Sequence, residues 1–201
     1  MMSESAPTLR PGAVVRLKRR LKAAVLSGPR RDHWQQPQRV IDALGIEQGM
    51  RVADIGSGGG YFTMRLARAV GAEGCVYAVD TDADLRSLVA DRAAAGELAN
   101  VTTVAPPQHE PGLPEPVDLA IIVDAFHHLP DPPGYLRALV EQHLAPHARV
   151  AVIEAVPRWW LFGHATEPAV LRAVLEGAGL TIEAEHGFLT RQSFLVARGT
   201  A

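Results

Sequence analysis

The sequence predicts an α/β fold: a doubly wound sheet of about seven strands, mostly parallel, with one antiparallel strand near the C-terminus. Three observations carry this expectation. Short apolar runs alternate with helically spaced segments from Gln36 onward. A cluster of glycines follows the first apolar run directly, in "VADIGSGGGYF". The last two runs, "TIEAEHGF" and "RQSFLVAR", are joined too tightly for a helix, so they pair as a hairpin.

The elements follow in order. A basic helix is expected from about Pro11 to Leu26, then a loop at "SGPRR". "QRVIDALGI" spaces Val40, Ile41 and Leu44 on one helical face and stops at Gly45. "MRVADI" is the first strand, "YFTMRLARAV" a helix ending before Gly71, and "CVYAVD" the second strand. "DADLRSLVADRAAAG" is a helix with Asp82 as N-cap, because a short carboxylate there accepts from free helical N–H groups. "VTTV" and "VDLAIIVD" are the third and fourth strands, the latter apolar enough to be buried on both faces. "PPGYLRALVEQHL" is a helix with prolines near its start, where their missing N–H costs nothing. "ARVAVIEAV" is the fifth strand, and "TEPAVLRAVLEGAGL" a helix opened by Thr166.

Charge divides the chain. Residues 1–31 hold eight Lys and Arg against Glu4 alone, a net +7; the whole chain is −2, so the remainder carries −9. The composition changes at Asp32, which suggests a basic extension at 1–31 and one domain at 32–201. Basic residues interrupt the only apolar segment near the N-terminus, no run is long enough for a membrane span, and Cys75 is the sole cysteine. A cytoplasmic location is the expectation. Over residues 11–26, Val14, Leu17 and Leu21 share one helical face with basic flanks. That pattern suits packing on the domain, a homodimer contact, or weak attachment to an anionic membrane surface.

The glycine loop sits where open α/β sheets bind ligands, beyond the carboxyl end of a strand and at the start of a helix. Its spacing is not that of a dinucleotide fingerprint, because Tyr61 stands where the third glycine of G-x-G-x-x-G belongs. What is present is D-x-G-x-G-x-G, with Asp54, Gly56, Gly58 and Gly60, and an acid, Asp80, ending the second strand. A carboxylate there can accept from both ribose hydroxyls of a nucleoside.

The combination resembles the class I S-adenosylmethionine-dependent methyltransferases, which have a Rossmann-like fold. "RDHWQQPQRVIDALGIEQGMRVADIGSGGGYFTMRLARAVGAEGCVYAVD", "VDLAIIVDAFHHLPDP" and "GFLTRQSFLVAR" are similar to the methyltransferase type 11 or quinone-methyltransferase-like branch. The resemblance implies S-adenosylmethionine as cofactor and in-line methyl transfer to a small-molecule acceptor. It implies that Asp54 orients the loop and the amino-acid part of the cofactor. Gly56, Ser57, Gly58, Gly60 and Tyr61 then border the methionine and ribose, and Asp80 holds the ribose hydroxyls. Thr81 and Asp82 flank the adenine, and Val123 and Asp124 lie beside the sulfonium. After the third strand, where the family often has an acid that touches the adenine amine, this chain departs and reads "VAPPQHEPG", with Gln108 at best a substitute. Pro146-His147-Ala148-Arg149 replaces the usual Pro-Gly-Gly turn before the fifth strand.

His127 and His128 follow the fourth strand and are candidate general bases; the alternative is one structural and one exposed histidine. Glu154 is a weaker acid–base candidate, or else a capping or surface carboxylate. Trp34 either closes over the cofactor or packs the linker. Trp159-Trp160-Leu161-Phe162 lines an acceptor pocket, or plugs the surface, or joins two copies; His164 beside it adds little alone. No His/Asp/Glu group has metal-ligand spacing, so no metal is expected. A nucleic-acid substrate is disfavoured, since "DAFH" stands where an Asn-Pro-Pro-aromatic motif belongs and the body is acidic. A cofactor-binding relative without transfer activity and a nicotinamide-dependent oxidoreductase are the remaining alternatives.

Overall fold

The computed structural model describes residues 29–157 and 164–199. The expected basic helix at 11–26 and the aromatic cluster Trp159–Phe162 lie outside the described residues. Helix α1 (Pro29–Gln35) leads through Gln36, which adopts a left-handed φ of 44°, into α2 (Pro37–Leu44). Then follow β1 (Arg51–Ile55), α3 (Thr63–Val70), β2 (Cys75–Val79), α4 (Ala83–Ala95), β3 (Val101–Val104) and β4 (Val117–Val123). A 3₁₀ turn (Phe126–His128) precedes α5 (Pro132–Ala138), whose last part widens into a π-turn (Leu139–His143). The chain closes with β5 (Leu144–Ala155), α6 (Pro168–Gly177), β6 (Leu180–Glu185) and β7 (Gln192–Gly199).

These strands form one sheet in the order β3-β2-β1-β4-β5-β7-β6. The order reverses between β1 and β4, so the crevice opens beyond the carboxyl ends of those two strands. β7 runs antiparallel to both neighbours and is the single antiparallel strand of the expectation. The central strands are buried on both faces because helices cover each side. Val52, Leu119, Ile121 and Ile153 pack with α2 and α3, through Val40, Leu44, Leu66 and Val70. Ala53, Ile55, Ile122 and Val152 pack on the other side with Leu136, Leu171 and Leu175 of α5 and α6. Among the described residues, no helix is long and apolar enough to cross a membrane.

The structure alters three sequence expectations. Residues read as a loop before Asp32 begin helix α1 at Pro29. β5 starts at Leu144 rather than Ala148; the β4–β5 register shifts between Val117 and Leu119, and His147 takes a φ of 64°. That left-handed residue supplies the kink a glycine gives elsewhere. α6 opens at Pro168 after Glu167, not at Thr166, because proline is preset for the first helical turn. Cys75 is half-buried and packs against the core.

Candidate active site

The site is built at the ends of β1, β2, β4 and β5. β1 delivers Asp54 into the interior, where it is 2% exposed and accepts from Thr63 Oγ1 at 2.5 Å. Burial raises its carboxyl pKa to about 6, with the Thr63 bond opposing. Gly56 then turns with a φ of 73°, and a Cβ there would stand 2.3 Å from the Ala125 Cβ. The glycine is therefore what lets the β1 and β4 termini close together. Gly58 and Gly60 also have positive φ, 54° and 80°. Gly60 faces Val89 of α4 and so sets the loop against the helix layer rather than lining a cavity.

Asp80 follows β2 and ties the loop down. Its Oδ2 accepts from Gly58 N and its Oδ1 from Asp82 N, both at 2.8 Å. Asp82 lines neither cavity described below. Its carboxylate caps α4, accepting from Asp84 N at 2.8 Å and Leu85 N at 3.3 Å, which is the N-cap role expected of it. Beyond β4, Asp124 is held in a left-handed conformation with φ 49°. Gln192 Nε2 donates to its Oδ1 at 2.7 Å and Gln35 Nε2 to its Oδ2 at 3.2 Å. Burial nevertheless raises the Asp124 pKa above the usual carboxylate value.

Two cavities meet here, sharing Gly56, Gly58 and Asp124. The first, about 270 Å³, lies between α1 and the loop and is lined by Arg31, Trp34, Asp54, Ser57, Tyr61 and Val123 among others. Ser57 Oγ is buried there without a hydrogen-bond partner. The Arg31 guanidinium stacks on Tyr61, 4.2 Å from the ring centroid. The second, about 510 Å³, has an apolar wall of Val79, Leu85, Pro106 and Pro107 with Asp80, Thr81, Gln108 and His128 at its polar margin.

The sequence reading missed Arg31, which it left in the basic extension, and missed that Gln35 and Gln192 hold Asp124. Gln35 and Gln192 stand 89 and 68 residues from their partner, so no local spacing announces them.

His127 lines neither cavity. The 3₁₀ turn points it at Glu154, which ends β5 and is wholly buried, not a surface carboxylate. Glu154 Oε2 accepts from Phe126 N at 3.1 Å, and Oε1 lies 2.5 Å from His127 Nδ1. Burial is the first cause of both shifts: Glu154 is raised to about 8 and His127 is lowered to about 4, with His128 and His164 adding to the latter. Both shifts disfavour separate charges on the pair. The His127 ring lies 4.0 Å from that of His128 and 5.4 Å from that of His164, centroid to centroid.

Nucleoside-sized cavities at a glycine turn, with a strand-end acid, are those of the doubly wound proteins that bind a nucleoside-containing cofactor. The chain matches the methyltransferase domain family over residues 30–197 and belongs to that family. No curated protein matches it. Among solved structures it is similar to a SAM-dependent methyltransferase from Aquifex aeolicus: 24% identity, 90% of this chain and 98% of that one covered, TM-score 0.81. It is also similar to magnesium protoporphyrin IX methyltransferase from Synechocystis PCC 6803 with bound SAH: 21% identity, 85% and 84% covered, TM-score 0.68. A cyclase, SpnF, has the same fold at 18% identity, 81% and 80% covered, TM-score 0.68. At these identities the likeness shows the fold.

Proposed function

We propose that the protein transfers a methyl group from S-adenosylmethionine to a small-molecule acceptor by in-line displacement. The observation that carries this reading is the joined pair of cavities, which sorts charge as that cofactor requires. Arg31 offers a cation for the amino-acid carboxylate, and Asp54 and Asp124 offer anions for the ammonium and sulfonium. The Asp80 carboxylate, fixed by two backbone N–H groups, keeps lone pairs for ribose hydroxyls. The Val79, Leu85, Pro106 and Pro107 wall suits a flat base, with Gln108 able to reach its amine. The orphaned Ser57 Oγ and the cradle that a Gly56 Cβ would fill support the same occupant.

When bound, S-adenosylmethionine supplies an electrophilic methyl carbon. The protein's part is to bind, align and exclude water. For a protonated nucleophile, His128 at the margin of the larger cavity is the group that takes up the proton, and the His127–Glu154 pair, outside both cavities, receives it only by way of His128, whose ring lies 4.0 Å from that of His127. With Nδ1 on Glu154, the base atom of His127 is Nε2. It is free to accept once the pair has lost its shared proton, so burial of Glu154 sets when the base is ready.

The test is thermal melting of the full chain with S-adenosylmethionine, its demethylated product, or NAD. At a hundred times Kd, either adenosyl ligand is expected to add about 2.7 kcal/mol of stability, and NAD none. Arg31→Gln is expected to weaken both adenosyl ligands about tenfold or more, the loss of one charge-assisted hydrogen bond. Stabilisation by NAD alone overturns the reading.

A further inference from the structure

We propose that His127, His128 and His164 form a binding site for a single divalent transition ion of the zinc or cobalt type, with Glu154 as the carboxylate behind it. The fold brings together two histidines of the 3₁₀ turn and one that follows β5, more than thirty residues on. One ring nitrogen from each lies within 4.8 Å of the others. Tetrahedral coordination at about 2.0–2.1 Å needs nitrogens about 3.4 Å apart. His128 and His164 are exposed and close the difference by side-chain rotation.

The surroundings are those of a ligand set rather than of three stray histidines. Metal-bound histidines almost always give their second nitrogen to a carboxylate or carbonyl, which fixes the ring. Here His127 Nδ1 sits on Glu154 Oε1, leaving Nε2 for the ion. Glu154 is fixed in turn, because its other oxygen accepts from Phe126 N. Three imidazoles and no thiolate suit zinc, cobalt, nickel or copper, not the oxygen-seeking magnesium or calcium. Three protein ligands leave a fourth position open, as in catalytic rather than structural sites. His128 also borders the larger cavity, so the open position lies beside the crevice. An ion on His127 Nε2 excludes that atom from acting as a base, so metal occupancy and proton uptake by His127 are alternatives. The inference rests on the histidine geometry and stands whether or not the methyl-transfer reading holds.

The experiment is titration of the untagged, metal-stripped full chain with cobalt(II), followed by zinc competition and equilibrium dialysis. One equivalent of cobalt is expected to give the visible absorption bands of a four- or five-coordinate nitrogen site, and zinc to abolish them. His128→Ala and His164→Ala are expected to lose the bands while keeping the metal-free melting temperature, since both side chains are exposed. Glu154→Gln is expected to retain the site at about 10–100-fold lower affinity. Absence of stoichiometric binding, or equal binding by wild type, His128→Ala and His164→Ala, overturns the proposal.

Discussion

At Gly56 two physical demands coincide: a backbone turn with φ 73° and an approach that leaves no room for a methyl group beside Ala125. Gly49 has the first demand alone, with φ 83° and nothing within 4 Å of its would-be Cβ. The pair therefore separates strain from crowding. Gly49→Ala is expected to cost about 1–2 kcal/mol, the conformational term for an L-residue, with cofactor binding unchanged. Gly56→Ala adds an overpacking cost of roughly 1–3 kcal/mol and pushes the β1 and β4 termini apart. Its S-adenosylmethionine affinity falls along with its melting temperature. Equal melting and equal affinity in the two variants mean that the Gly56–Ala125 contact does not shape the site. Asp124 makes a related point. Its left-handed φ is tolerated because two glutamine amides and a backbone bond to Ile153 hold it.

Among the described elements, the link between β5 and the 3₁₀ turn carries a pH-sensitive group. Glu154 ties them through His127 and Phe126. Its folded pKa, about 8, lies above its ordinary value of 4.5. Its contribution to stability is thus complete below about 4.5 and is lost as pH rises through 8. His127 has the opposite sign: its pKa is depressed from 6.5 to about 4, so its contribution is complete above 6.5 and lost as pH falls through 4. Between pH 7 and 8.5 only the Glu154 effect changes. The wild type is expected to lose about 1 kcal/mol over that window, and Glu154→Gln much less. Melting curves that fall in parallel show instead that Glu154 is ionised in the fold beside a protonated His127. Most elements were legible because their signals are local. β1, β2 and β4 are mostly apolar runs, β3 is a short β-branched one, α4 has its Asp82 cap, and the glycine loop has its spacing. The 3₁₀ turn and helix α1 were not, because each is short and is fixed by distant partners, Glu154 for one and Tyr61 and Asp124 for the other. The same reason hid Arg31, Gln35 and Gln192, whose types suit any exposed surface.

For the molecule as a whole, the sheet gathers buried acid at one end. Asp54, Asp124 and Glu154 all end central strands or follow them directly, and burial raises all three. A ligand carrying a sulfonium and an ammonium stabilises their ionised forms, so its affinity rises as pH rises through about 6. The demethylated product lacks the sulfonium charge. Calorimetry from pH 5.5 to 8 is expected to show S-adenosylmethionine tightening more steeply than its product. Equal slopes mean that the carboxylates do not sense the sulfonium. The two amides on Asp124 have another consequence, one of timing. One comes from before the first strand and the other from the first residue of the last. A nascent chain that has emerged through Glu185 already carries the whole glycine loop, Asp54 and Asp124, and His127, His128 and His164. It still lacks the Gln192 amide and the antiparallel strand wedged between β5 and β6. A chain cut before β7 therefore keeps the acid that faces the ligand and loses one of the two amides that hold it in place.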